Sequence, residues 1–303
     1  MMRIGELVLN QSKKVLENKQ YAIFCAALLS VLPFASWLSV ALVVLVTLRK
    51  GGKLGFEVLV PALIIHTVPL LLLVPVGSAL INTLIAYLPC YFAALTLRSN
   101  ASWQAVAGVF FLQALIAFVL VQWLIPDLAM VQFNQFKKLL SHYNEYQQFI
   151  ETSIEGINPW DLAQLFLGIQ ILSVVVSSII SLLFARFIQA KLFVPGGLKA
   201  ELADFRSGKL AFLVLLATSV ASYNEFAFAI NLLPLALGYF LLAGFNLSYV
   251  VLARRLHFKA IILLILLIVL QPTFVLFAYV IFGLLDSLFN FRLYLPSRAS
   301  ESI

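Results

Sequence analysis

Of the chain's 303 residues, 63% are hydrophobic and 11% charged, against about a quarter charged in ordinary soluble domains, so a water-soluble globule would lack the polar atoms to cover its surface. The formal net charge is +7, but the 20 Lys and Arg fall in short clusters between apolar runs rather than on one basic face, which points away from nucleic acid and toward positive-inside membrane topology. The two cysteines, Cys25 and Cys90, lie far apart inside apolar runs, a spacing that makes neither a disulfide framework nor a metal site.

In chain order, residues 1–20 carry Ile4, Leu7, Val8, Val15 and Leu16 on one helical stripe with Lys13, Lys14, Glu17 and Lys19 opposite, the pattern of a helix lying on membrane lipids. Apolar runs follow at about 21–47, 56–75, 77–97, 103–125, 160–186, 209–230, 232–253 and 259–285. The bilayer core has no water to satisfy a bare backbone, so runs of this length are expected to be helices. The fold class is therefore all-α, a polytopic transmembrane bundle of about eight segments, some broken or re-entrant. The first run is too long for a signal-peptide core and ends in no small-residue cleavage site, so it is expected to stay in the mature protein. The organisation expected is an interfacial helix at 1–20, a membrane domain at 21–291 and a tail at 292–303.

Orientation follows from the loops. The connection from Arg186 to Lys209 holds five basic residues against two acids, and "RRLHFK" from Arg254 adds more, so both are expected on the cytoplasmic side. The acid-rich segment 126–159 is expected outside as an amphipathic helix, with Phe136, Leu140, Tyr143, Ile150 and Ile154 on one face, a roof or lid over the bundle. Alternate crossings then place the basic N-terminus outside, against its charge. Pro33 resolves the conflict if the first run is two half-helices that enter and return, and Gln271-Pro272 offers the same device in the last run. Asp286 and Arg292 are six residues apart, too far for a direct pair on one helix. A returning last run would instead bring Asp286 to the basic 186–209 loop.

"LFVPGGLKAELADFRSGK", through Pro195, Gly196, Gly197, Glu201 and Arg206, resembles a loop of the YybS-like family of bacterial predicted membrane proteins, a family of unknown function. "FGLLDSLFNFR", through Gly283, Asp286, Phe291 and Arg292, and "LPFASWLSVALVVLVTLRKG" extend the likeness to both ends of the chain. The resemblance implies a bacterial inner-membrane location, about eight helices and a distant likeness to substrate-binding subunits of vitamin-type transporters. It brings no catalytic residues.

The residues able to carry chemistry are few. Glu225 stands among apolar residues beside Tyr223, Asn224 and Asn231, either as an interfacial carboxylate or as a cavity group for a cation or polar ligand. His66 has the same two readings, a histidine bonded to a backbone carbonyl or a ligand-binding group in a helix broken at Pro61, Pro69 and Pro75. Asn82, Asn246 and Gln271 are further cavity candidates, whereas Gln104, Gln113, Gln122, Gln164 and Gln170 are expected to tie helices together. Gly238 and Gly244 supply close packing. With no HExxH, no paired aspartates on one helix face, no Gly-x-Ser-x-Gly turn and no Walker motif, the expectation is a protein that is not an enzyme and uses neither cofactor nor metal.

The leading expectation is a solute-binding or transport component with a ligand site built from His66, Asn82, Tyr223, Asn224, Glu225, Asn246 and Gln271. Pro195, Gly196, Gly197, Glu201 and Arg206 would dock a cytoplasmic-side partner, a coupling ATPase or an envelope complex. The alternative is a structural factor that organises other cell-envelope proteins.

Overall fold

The computed structural model of the protein describes residues 4–32, 34–141, 156–256 and 259–294. They form helices α1 (Ile4–Glu17), α2 (Lys19–Val31), α3 (Ser36–Lys50), α4 (Gly52–Leu70), α5 (Val76–Asn100), α6 (Trp103–Leu124), α7 (Leu128–Leu140), α8 (Pro159–Phe193), α9 (Gly197–Asp204), α10 (Lys209–Tyr223), α11 (Ala227–Leu256), α12 (Lys259–Leu270) and α13 (Pro272–Phe289), then a 3-10 turn at Phe291–Tyr294. No strand occurs among the described residues, and the architecture is an all-α polytopic membrane bundle. Among the described residues, six helices are long and apolar enough to cross a membrane: α4, α5, α6, α8, α11 and α13. A seventh span results if α9 and α10 count as one bent unit, so the expected eight segments reduce to six or seven.

The reduction comes from the first run and from the sixth, whose helix α10 has 15 residues. Pro33 itself lies outside the described residues, but α2 stops at Val31 and α3 starts at Ser36. Ser39 Oγ donates to the Ala26 carbonyl at 2.7 Å although the two are 13 residues apart, which in one continuous helix would separate them by about 20 Å. The first run therefore folds back as a hairpin of two short helices, of 13 and 15 residues, each below the ~20 needed to span hydrocarbon. The last run also folds back, at Gln271, where the Tyr279 hydroxyl on α13 donates to the Leu264 carbonyl on α12 at 3.3 Å, but its second half, α13, stays long enough to span.

Two expected breaks are displaced. α4 runs unbroken through Pro61, and the chain leaves the helix only after Leu70, so the repeated interruption expected around His66 is absent. The boundary between the sixth and seventh runs, expected at residue 231, falls at residues 224–226, and α11 continues through Pro234. The reason is the same in both: an internal proline removes one helix bond, to the carbonyl four residues earlier, and packing on both sides of it holds the rest of the helix in place.

Two compact units divide the chain, Met1–Gln113 with Ser173–Leu202, and Ala114–Leu172 with Ala203–Ile303. In the first, α2, α3, α4 and α5 pack around Val43, Val44, Leu59 and Tyr87. In the second, α11 and α13 cross at two glycines, where a Cβ on Gly244 would overlap the Tyr279 carbonyl and one on Gly283 the Phe240 carbonyl. Leu215 of α10 packs with Ala236 and Phe240 of α11 beside that crossing. α7 rests on α8 through Phe136 stacked on Phe166, ring centroids 4.7 Å apart. Tyr143, Ile150 and Ile154 of the expected amphipathic segment lie outside the described residues.

Candidate functional site

In the first unit, polar side chains on α2 to α5 form a seam in which they bond to one another or to backbone. His66 is half-buried on α4, and its Nδ1 lies 3.0 Å from the Ser30 carbonyl. A carbonyl only accepts, so Nδ1 carries the hydrogen and donates it. The ring meets Tyr87 edge-on at 5.4 Å, and the Tyr87 hydroxyl donates to Ser39 Oγ at 2.9 Å, which in turn donates to Ala26. Thr67 donates to Thr83 at 3.1 Å between α4 and α5. Cys90, also buried, donates to the Ser178 carbonyl at 3.2 Å. Asn82, next to Thr83 in sequence, is exposed on α5 and does not join this seam.

The remaining five candidate ligand residues belong to the second unit. Tyr223, Asn224 and Glu225 form the exposed turn between α10 and α11. Asn224 Nδ2 donates back to the Val220 carbonyl at 2.7 Å, closing the end of α10. Glu225 adopts the left-handed conformation, φ 61°, that lets the chain reverse into α11. Its carboxylate thus marks a helix boundary, two residues before the positive end of the α11 dipole. Gln271 is exposed at the apex of the α12–α13 hairpin. Asn246 joins a different cluster, donating to the Phe205 carbonyl at 3.2 Å.

That cluster clips the α9–α10 connection to the end of α13. Arg206 donates to the carbonyls of Asp286 at 2.9 Å and Ser287 at 2.8 Å, and Ser207 donates to Gly283 at 2.9 Å. These are carbonyls of the last turns of α13, the end of the helix that a guanidinium satisfies best. Asn290 turns left-handed, φ 49°, so Arg292 returns along the helix, pairs with the Asp286 carboxylate at 3.2 Å and donates to the Ala203 carbonyl. Six residues of separation therefore do permit a direct pair, because the helix ends between them. Asp286 meets the basic loop through its backbone, not its carboxylate.

Of the candidate docking residues, Pro195 and Gly196 lie exposed in the turn before α9, and Gly196 needs its missing side chain to hold φ 84°. Gly197 starts α9 with its N–H bonded to the Val194 carbonyl at 2.9 Å. Glu201 and Arg206 are engaged inside the chain. Glu201 takes both a fork of bonds from Arg186 and one from Trp103 Nε1 at 3.2 Å.

Two side chains outside the expected ligand set, Asn231, read only as a neighbour of Glu225, and Gln164, read as a tie, have buried polar atoms with nothing to bond. Asn231 on α11 is 0% exposed, and neither its Nδ2 nor its Oδ1 has a partner. Gln164 on α8 is 1% exposed, and its Oε1 has none. α8 approaches α11 closely here, since a Cβ on Gly168 would strike the Asn231 carbonyl and lie 3.1 Å from the Pro234 ring. The sequence signal was an asparagine three residues before a helix proline. No family model matches the chain, and no curated protein or solved structure matches it either.

Proposed function

We propose that the chain is a solute-binding or transport component of a bacterial inner membrane, not an enzyme, and that its ligand site lies in the second unit between α8 and α11. The supporting observation is the pair of interior amides, Asn231 and Gln164: Nδ2 and Oδ1 of the first and Oε1 of the second are withdrawn from water without a protein partner. An unmade bond of this kind costs free energy, and in a bundle otherwise built from apolar contacts it is retained where something polar fills it. The likeness to the YybS-like family, carried by residues 195–206 and 283–292, belongs to the same proposal.

The test is ligand-induced thermal stabilisation of the purified full-length chain across a metabolite panel. A saturable shift in the wild type that disappears in Asn231→Leu supports the reading, and a shift unchanged by that variant removes the site from it. A second reading, a factor that organises other envelope proteins, draws on the exposed Pro195-Gly196 turn. It predicts that copurification from gently solubilised membranes yields a stoichiometric partner that is lost when this turn is replaced.

A further inference from the structure

The atoms at the α8–α11 contact define what they can hold. Asn231 presents one acceptor, Oδ1, and an NH2 donor, and Gln164 adds a second acceptor, Oε1. Pro234 has no N–H, so the Ile230 carbonyl loses its helical partner and stands as a third acceptor. The pairs Gly168 with Asn231 and Leu172 with Gly238 rise together along the two helices, so α8 and the start of α11 run parallel. Gln164 lies one turn before Gly168 on the same face of α8, the face that meets Asn231 and Pro234 of α11.

No carboxylate or cation is among these atoms. Asp161, in the first turn of α8, and Glu225, before α11, are the acids of the described residues at this end of the pair, and both sit where a helix dipole compensates them. Moving an ion from water into apolar surroundings costs far more than moving a neutral polar group, and the neutral dipoles of two carboxamides and a carbonyl do not offset that cost. We propose that the Gln164–Asn231 seat takes an uncharged hydrogen-bonding group, a carboxamide or a hydroxyl, and excludes ions of similar size. The inference rests on the solute-binding reading and names the ligand class of that site.

The experiment uses two alkylating probes of nearly equal size, neutral iodoacetamide and anionic iodoacetate. Cys25 and Cys90 are replaced by alanine, and a single cysteine is introduced by Asn231→Cys or, separately, Gln164→Cys in the full-length protein. Each rate is divided by the rate of the same probe with the denatured chain, which cancels intrinsic reactivity. The expected result is modification by iodoacetamide in the folded protein and a normalised rate about tenfold lower for iodoacetate, since the charged probe must shed water to enter. Equal normalised rates overturn the neutral seat while leaving a solute-accessible site in place. Silence with both probes at both positions overturns the seat and the solute-binding reading together. Thermal unfolding supplies an independent readout in Asn231→Leu and Gln164→Met. A lowered midpoint means that the amides bond to an occupant, whereas a raised midpoint means that they face nothing, and overturns the proposal.

Discussion

Helices α2 to α5 and the α8–α11 pair of the second unit both bury polar side chains in apolar surroundings, and they treat them in opposite ways. Among the described residues of α1 to α5, each fully buried side-chain nitrogen or oxygen has a partner. His66, Ser39, Thr67 and Tyr87 are cross-links between helices, a role that a bundle without a hydrophobic driving force assigns to polar groups. In the second unit, Asn231 and Gln164 carry comparable chemistry, yet both polar atoms of Asn231 and Oε1 of Gln164 are buried without a partner. A polar residue in a membrane helix is therefore poor evidence for a ligand site by itself. What separates a tie from a site is whether its bonds are already made.

The largest test of this contrast lies within the second unit, where a satisfied charge sits beside unsatisfied atoms. Asp286 is 0% exposed and compensates Arg292, although its Oδ1 and the Arg292 Nη2 remain unpaired. Asp286→Ala leaves a mostly buried guanidinium without its counter-charge, and a loss of about 4 kcal/mol is expected in denaturant titration. Asp286→Ala combined with Arg292→Met should recover most of that loss. If the double variant is as unstable as the single, the pair is not what holds the end of α13.

A smaller effect is expected in the seam of the first unit. Ser39→Ala strands the Tyr87 hydroxyl in a dry interior and removes the bond to Ala26, for a loss of about 2 kcal/mol. Adding Tyr87→Phe removes the stranded group, and the double variant should be more stable than Ser39→Ala alone, a coupling read from the four-variant cycle. His66→Phe removes one bond from a half-buried ring, and about 1 kcal/mol is expected. Ligand-dependent stabilisation should survive it unchanged, because in this arrangement His66 is a tie.

Much of the fold was legible in the sequence because lipid imposes one rule on the backbone. Apolar length marks helices, and the hairpin breaks at Pro33 and at Gln271-Pro272 follow from proline chemistry. Pro61 was read as an interruption by the same chemistry, yet α4 runs through it, as α11 runs through Pro234, since one lost bond ends a helix only where packing does not hold both sides of it. The partners were not legible. His66 finds Ser30 at a separation of 36 residues, and Arg206 finds Asp286 at 80. Which polar atoms stay unpaired is a property of that pairing, so neither the open Oε1 of Gln164 nor the exposure of Glu225 could be read from the sequence.

Glu225 gives the smallest expected effect. A carboxylate lining a cavity would make Glu225→Gln costly for ligand binding and Glu225→Gly more so. In the structure the side chain is exposed and the backbone is the constrained part, at φ 61°. A left-handed conformation costs a residue with a Cβ about 1–2 kcal/mol, and glycine escapes that cost while losing roughly 0.5–1 kcal/mol more in unfolded-chain entropy. Glu225→Gly should therefore raise stability by about 0.5 kcal/mol net. Glu225→Gln should leave it unchanged apart from a few tenths of a kcal/mol of lost interaction with the α11 dipole, which added salt abolishes. A drop in ligand-dependent stabilisation in Glu225→Gln at fixed ionic strength would reverse the assignment, placing the carboxylate at the site and making the turn incidental.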